Sequence, residues 1–209
     1  MKIINYRWLI GMIGIKRLVF LYQIDGIMLI YTRRMVYANN REVNKINEIK
    51  ESMQMVRILF VCHGNICRST MAEFVMKELV RQAGLSDEIF VASAACRRDE
   101  IGSDTHPGTK AKLRAMGIPF TKRAAVQITR SDYDRYDLII GMDDENRSDL
   151  NRLMQTDPED KLHLLLEFAG ESGEVADPWY TGNFDRTYED VLRGCKALLA
   201  KVISRSDLG

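Results

Sequence analysis

Nowhere in the 209 residues does an uninterrupted apolar run approach the roughly 18 that a membrane-spanning helix requires, which argues against a membrane bundle. Cysteine is scarce, with four residues, and this excludes a disulfide-held scaffold. A dominant charge sign is missing too. Lys plus Arg number 30 against 29 Asp plus Glu, so the net charge of +1 offers no general attraction for nucleic acid or an anionic surface. There is no Gly-Lys-Ser/Thr signature of a nucleotide-binding loop. Cys62, His63 and Cys67 lie close together, but no second Cys or His pair at ligand spacing completes a zinc set, and no cofactor motif is present. Internal repeats and low-complexity linkers are also lacking. What remains is 46% hydrophobic and 28% charged residues, enough for one sizeable core.

That composition is uneven along the chain. Residues 1–54 hold nine basic and four acidic residues, ten Ile, five Met and no Cys, leaving 21 basic and 25 acidic residues for 55–209. Apolar stretches at Trp8–Ile15, Leu18–Tyr22 and Ile27–Tyr31 are broken by Lys16, Arg17, Asp25 and Gly26. The pattern suits a secretory signal poorly, because Tyr22-Gln23-Ile24-Asp25 makes a bad cleavage site. Two readings fit better. Residues 1–54 are an extension translated from AT-rich DNA upstream of a start at Met53 or Met55, or they are a weak basic and hydrophobic anchor.

From Met55 on, short apolar runs alternate with helical periods, which predicts an α/β domain over 55–209 with a parallel sheet. Strands are expected at 56–61, 90–93, 137–141 and 161–166, the first buried on both faces. Helices are expected at 69–82, 107–116 and 144–154. A last helix keeps Phe184, Tyr188, Val191, Leu192, Cys195, Leu198, Leu199 and Val202 on one face. The resulting architecture is three layers, with a central four-stranded parallel sheet flanked by helices and an anion-binding loop after its first strand.

That loop reads Cys62-His63-Gly64-Asn65-Ile66-Cys67-Arg68-Ser69-Thr70. A helix that follows a parallel strand directs unpaired N–H groups and its positive dipole end at the crevice, which makes an anion site before any side chain is counted. Five residues separate Cys62 from Arg68, so a loop curled around a phosphate-sized ion places sulfur below it and guanidinium beside it, with Gly64 permitting the curl. The dipole, the N–H groups and Arg68 all favour thiolate over thiol. Arg suits this place better than Lys because its fork donates two hydrogen bonds to phosphoryl oxygens. Asp143, Asp144 and Asp177 all lie near strand ends, and position alone does not separate an acid among them from a solvated carboxylate or helix cap.

With these motifs the chain resembles the low-molecular-weight protein tyrosine phosphatases over essentially all of 55–209. The likeness extends to Ser93-Ala94-Ala95, Asp137, Met142-Asp143 with Asn146, Asp177-Pro178 and the closing helix from Phe184-Asp185. It implies metal-independent hydrolysis of phosphotyrosine in proteins or peptides through a cysteinyl phosphate, without a cofactor. By the same resemblance Cys62 is the nucleophile, Arg68 binds phosphate and Asp177 is the general acid. His63, Gly64, Asn65, Ile66, Cys67 and Ser69 form the phosphate loop, supported by Ser93, and Ser69 eases departure of the thiolate. Trp179 and Tyr180 flank the substrate ring. Cys67 is the redox partner that pairs reversibly with Cys62. Phosphate and vanadate-type oxyanions are expected ligands, nucleic acid and membrane are not, and a reducing cytoplasm suits four free cysteines.

Two departures from the family pattern stand out. Thr70 replaces a common Pro, and Asp99 falls where many relatives place an aromatic that walls the cleft, while Arg97 and Arg98 either attract acidic peptide residues or belong to a solvated charged loop. Three rival functions are weighed. A protein phosphoarginine phosphatase tends to carry Thr where Ile66 stands, a thiol-dependent arsenate reductase needs a closely spaced cysteine relay that Cys96 and Cys195 do not form, and a silent phosphate-binding module would be expected to lack Cys62, Arg68 or Asp177.

Overall fold

A computed structural model of the chain describes residues 16–24, 27–35 and 55–206. It divides into two compact units, Met1–Gln54 and Met55–Gly209. In the first, β1 (Lys16–Ile24) and β2 (Ile27–Met35) pair antiparallel, with Ile24 opposite Ile27. Trp8–Ile15 and Met53 lie outside the described residues.

In the second unit the expected parallel sheet is present. Its strands are β3 (Val56–Cys62), β4 (Ile89–Ala95), β5 (Leu138–Gly141) and β6 (Leu162–Leu164), ordered β4-β3-β5-β6 and parallel throughout. β3 is central because its apolar run fills both faces. Leu59 and Val61 join Ile139, Leu150 and Met154 on one side, while Ile58 and Phe60, both fully buried, serve the other. The helices are α1 (Arg68–Ala83), α2 (Pro107–Ala115), α3 (Asp132–Arg135), α4 (Asp144–Met154), α5 (Pro178–Thr181) and α6 (Phe184–Ser206). α1, α2 and α6 pack together, while α4 packs against β5 and β6. In α6, Tyr188, Val191, Cys195, Leu198, Leu199 and Val202 are buried as the periodicity requires, whereas Phe184 and Leu192 are half-buried.

The last strand is shorter than its apolar run suggests. β6 stops at Leu164, and Leu165–Ala169 form a 3₁₀ turn instead of extending to 166. Glu167 accepts the Leu164 N–H through Oε2 at 2.8 Å, which starts the turn, and Leu165 and Leu166 bury themselves as it winds. α6 approaches this turn so closely that a Cβ on Gly194 would lie 2.5 Å from Leu165 Cγ, which explains a glycine in mid-helix. β5 likewise begins one residue late, because Asp137 caps the sheet through Oδ2, accepting the Arg57 N–H at 2.7 Å. The short helices α3 and α5 escape a reading by periodicity because each is a single turn.

From β3 the chain crosses to β4 on one side and later to β5 on the other. The crevice beyond the carboxyl end of β3 is therefore a switch point where such sheets bind ligands, and Cys62 is the last residue of that strand.

Candidate active site

Between Cys62 and α1 the backbone turns through Asn65, whose φ of 58° lies in the left-handed region that Asn tolerates better than most residues. Its side chain holds that conformation. Asn65 Nδ2 donates to Ser69 Oγ at 2.9 Å and Ser93 Oγ at 2.8 Å, and Oδ1 accepts from Arg123 at 2.8 Å. Ser93 Oγ donates to Glu73 at 2.6 Å and accepts a further bond from Arg123 at 2.9 Å, so its capacity is full. Because Ser69 Oγ already accepts from Asn65, its own hydrogen is free for Cys62 Sγ, 3.0 Å away. Thr70 needs no proline to open the helix, since its hydroxyl turns back to the Cys67 carbonyl at 2.9 Å. No side chain caps α1 and its first turn has no acidic residue, so N–H groups at the loop are left to meet an anion.

Arg68 is almost wholly buried and ion-pairs with Asp143 and Asp177 together. Each carboxylate divides its oxygens. Asp143 Oδ1 caps α4 at the Asn146 N–H (2.7 Å) and Asp177 Oδ1 caps α5 at the Trp179 N–H (2.9 Å), while both Oδ2 atoms face the guanidinium. Burial works against the charge on Arg68, but the nearby Cys62 sulfur, Asp143 and Asp177 outweigh it and hold the guanidinium above its ordinary pKa. Asp144, the third carboxylate singled out by position, is exposed and pairs with Arg147.

Cys62, Cys67, Arg68 and Asp177 line one cavity of about 510 Å³ together with Trp179 and Tyr180. His63, Gly64, Ile66 and Asp99 also border it. Trp179 and Tyr180 are largely exposed. Asp99 does not leave a gap where an aromatic is expected, for its carboxylate holds His63 Nε2 at 3.0 Å. Arg97 has acidic partners of its own, whereas Arg98 is exposed and its charge is unpaired by any acid among the described residues. Arg97 is engaged by Asp149 at 2.5 Å and Glu145 at 3.3 Å, because α4 brings carboxylates the local sequence cannot show, while Arg98 donates only to the neutral amide of Gln127. Burial, with the Cys62 and Asp177 charges beside it, pushes the Cys67 thiol up to about 12, against a small opposing effect of the Thr109 hydroxyl. Burial also raises Cys96 and Cys195. Among the described residues no group of three or more His, Cys, Asp or Glu side chains gathers as a metal site.

Sequence reasoning missed Arg123, Glu73 and the pairing of Asp143 with Arg68. Glu73 alone left a trace, as a carboxylate one turn after Ser69 on the buried face of α1. Arg123→Met removes the donors to Asn65 and Ser93 and is expected to cost about 2 kcal/mol, the scale for buried hydrogen bonds to a charged group. A urea titration reads this as a lower midpoint at unchanged slope. A loss under about 0.5 kcal/mol would mean the loop holds its shape without Arg123.

A family model described as low molecular weight phosphotyrosine protein phosphatase matches residues 57–207. The low molecular weight protein-tyrosine-phosphatase YfkJ of Bacillus subtilis is 38% identical over 156 residues, which is 74% of this chain and 100% of YfkJ. Its crystal structure superposes with a TM-score of 0.70, covering 73% of this chain and 97% of that one. PtpA of Staphylococcus epidermidis, a protein of the same description, is 36% identical over 74% of this chain and 98% of its own length. The structure of SP-PTP, a low molecular weight protein tyrosine phosphatase from Streptococcus pyogenes, is 39% identical with a TM-score of 0.66, covering 74% and 97% of the two chains.

Proposed function

The chain belongs to the low-molecular-weight phosphotyrosine protein phosphatases, and from that premise we propose how residues 55–209 hydrolyse phosphotyrosine in protein substrates. The observation that carries the assignment of roles is that Cys62 sulfur, the Arg68 fork and the Asp177 carboxylate line a single cavity at the carboxyl end of β3.

An incoming phosphate monoester takes the N–H groups of the loop and the fork of Arg68, replacing Asp143 and Asp177 as the partners of that guanidinium. Cys62 attacks phosphorus in line as the thiolate. Displaced from Arg68, Asp177 has taken up a proton from solvent; the P–O bond to the tyrosyl ring then breaks, and the departing phenolate oxygen takes that proton. The product is a cysteinyl phosphate and a free tyrosine side chain. Water then attacks phosphorus and gives its proton to Asp177, the S–P bond breaks, and the Ser69 hydroxyl donates to the thiolate as it leaves. His63, Gly64, Asn65, Ile66, Cys67 and Ser69 form the phosphate cradle, and Asn65 and Ser93 keep its shape. Asp99 acts on the cleft through His63, while Trp179 and Tyr180 meet the tyrosyl ring. None of these steps calls on a metal. Inorganic phosphate and vanadate-type oxyanions bind the same cradle. Among the described residues no helix is long and apolar enough to cross a membrane. We place the enzyme in the cytoplasm, where thiols stay reduced.

The test is turnover of a phosphotyrosine peptide by the full chain in excess EDTA. Activity that persists in EDTA supports the reading. An intact fold that is inert under reducing conditions overturns it in favour of phosphoarginine or arsenate chemistry.

Cys67 is the resolving thiol in this reading. Being protonated far above neutral pH, it does not react first with peroxide but condenses with an oxidised Cys62, releasing water as the disulfide forms. Peroxide inactivation should then be largely reversed by dithiothreitol in the parent and irreversible in Cys67→Ser. Equal recovery of both would remove Cys67 from that role.

A further inference from the structure

One side chain outside the residues assigned to the chemistry touches both halves of the site. His106 ends the loop before α2, and its backbone N–H donates to the Ile66 carbonyl of the phosphate loop at 2.9 Å. Its Nδ1 accepts the Gly108 N–H at 3.1 Å, which caps α2 and places the proton of the neutral ring on Nε2. The ring lies stacked on Phe184, with centroids 5.3 Å apart and planes at 13°. Phe184 packs in turn against the cluster of Ile66, Cys67 and Ala125. Gly108 is part of the fitting, since a Cβ there would come within 2.3 Å of the Phe184 ring. The imidazole is therefore fixed by a cap on one side and a stacked ring on the other.

Trp179 meets this fixed ring edge-on, with centroids 6.3 Å apart and planes at 75°. It is also the residue whose N–H holds Asp177 Oδ1. Upstream of Asp177 the chain is tied to α6, where Thr187 donates to the Ala176 carbonyl at 2.8 Å and Asp190 accepts its N–H at 3.2 Å. Immediately downstream comes the single turn of α5, in which Pro178 is the one buried residue, before the chain enters α6 at Phe184. A one-turn helix does not hold its own geometry and takes its orientation from what it rests on.

We propose that His106 is a positioning residue for proton transfer, with its imidazole serving as the post on which Trp179 rests and so setting where Asp177 stands relative to the phosphate loop. The inference depends on Asp177 being the proton donor. Its consequence is selective, because a displaced acid matters most when the leaving oxygen is strongly basic and little when the leaving group departs unaided. A residue that merely supported the fold would slow good and poor leaving groups alike.

The experiment measures kcat/KM, which covers the steps through formation of the cysteinyl phosphate, for phenyl phosphate and for a nitro-substituted phenyl phosphate. His106→Asn keeps a side-chain acceptor for the Gly108 N–H and removes the ring, whereas His106→Phe keeps a ring and removes the acceptor. His106→Asn is expected to lose roughly tenfold on phenyl phosphate, a part of what a general acid supplies, and no more than about twofold on the nitro ester. His106→Phe should stay near the parent on both. Equal slowing of both esters in His106→Asn, or no slowing of either, or the same selective loss in His106→Phe as in His106→Asn, overturns the proposal. A folded parent inert on both esters overturns the phosphatase reading instead, and takes the proposal with it.

Discussion

Cys62→Ser is expected to abolish turnover of phosphotyrosine peptide, by about four orders of magnitude or more, while phosphate binding survives. A serine hydroxyl is far too weak an acid to supply an alkoxide at neutral pH, and its hydrogen-bonded neighbour Ser69 donates to the atom at this position instead of taking its proton. The rest of the anion site is untouched. Arg68, the α1 N–H groups and the Asn65, Ser93 and Arg123 network do not depend on sulfur. Inorganic phosphate should therefore bind Cys62→Ser at least as well as the parent, because a negative charge beside the anion is gone. Calorimetric titration of phosphate read beside the turnover assay separates the two roles. Residual activity above about one per cent of the parent would remove Cys62 as nucleophile, and loss of phosphate binding would mean the variant had lost the loop and not only its chemistry.

How much of this could be read in advance follows from how local each feature is. β3, α1 and the loop between them were legible because strand, turn and helix signals lie within a few consecutive residues around Cys62 and Arg68, where each constrains the next. The long α6 was legible because a repeat over many turns averages out exceptions. What escaped was non-local. Arg123 reaches Asn65 across 58 positions and Asp143 reaches Arg68 across 75, and neither carries a mark in its own neighbourhood. The partners of Arg97 were hidden for the same reason. Its charge is visible in the sequence, but Asp149, which neutralises it, arrives through α4 from 52 residues away. His106 was legible only in part. Its place before Pro107 marks a helix start, which the cap to Gly108 bears out, yet its ring contacts with Phe184 and Trp179 depend on the return of the chain from α5 to α6.

Asp177→Asn is expected to lower kcat/KM for phenyl phosphate by about 10² to 10³, within the range a general acid supplies, and to leave a nitro-substituted ester much less affected. The substitution is chosen for what it keeps. Asparagine retains a side-chain oxygen to accept the Trp179 N–H, so α5 keeps its cap, and only the transferable proton and the charge toward Arg68 are lost. The decisive comparison is Asp143→Asn. Asp143 also caps a helix through Oδ1 and also faces Arg68 through Oδ2, so it shares every structural feature of Asp177 except its loop with Trp179 and Tyr180. If charge beside Arg68 were all that mattered, the two variants would behave alike, with similar changes on both esters. If Asp177 carries the proton, it alone steepens the dependence on the leaving group, while Asp143→Asn shifts both esters together through the hold on Arg68. A steep dependence in Asp143→Asn and a flat one in Asp177→Asn would exchange the two roles and move the acid from α5 to the start of α4.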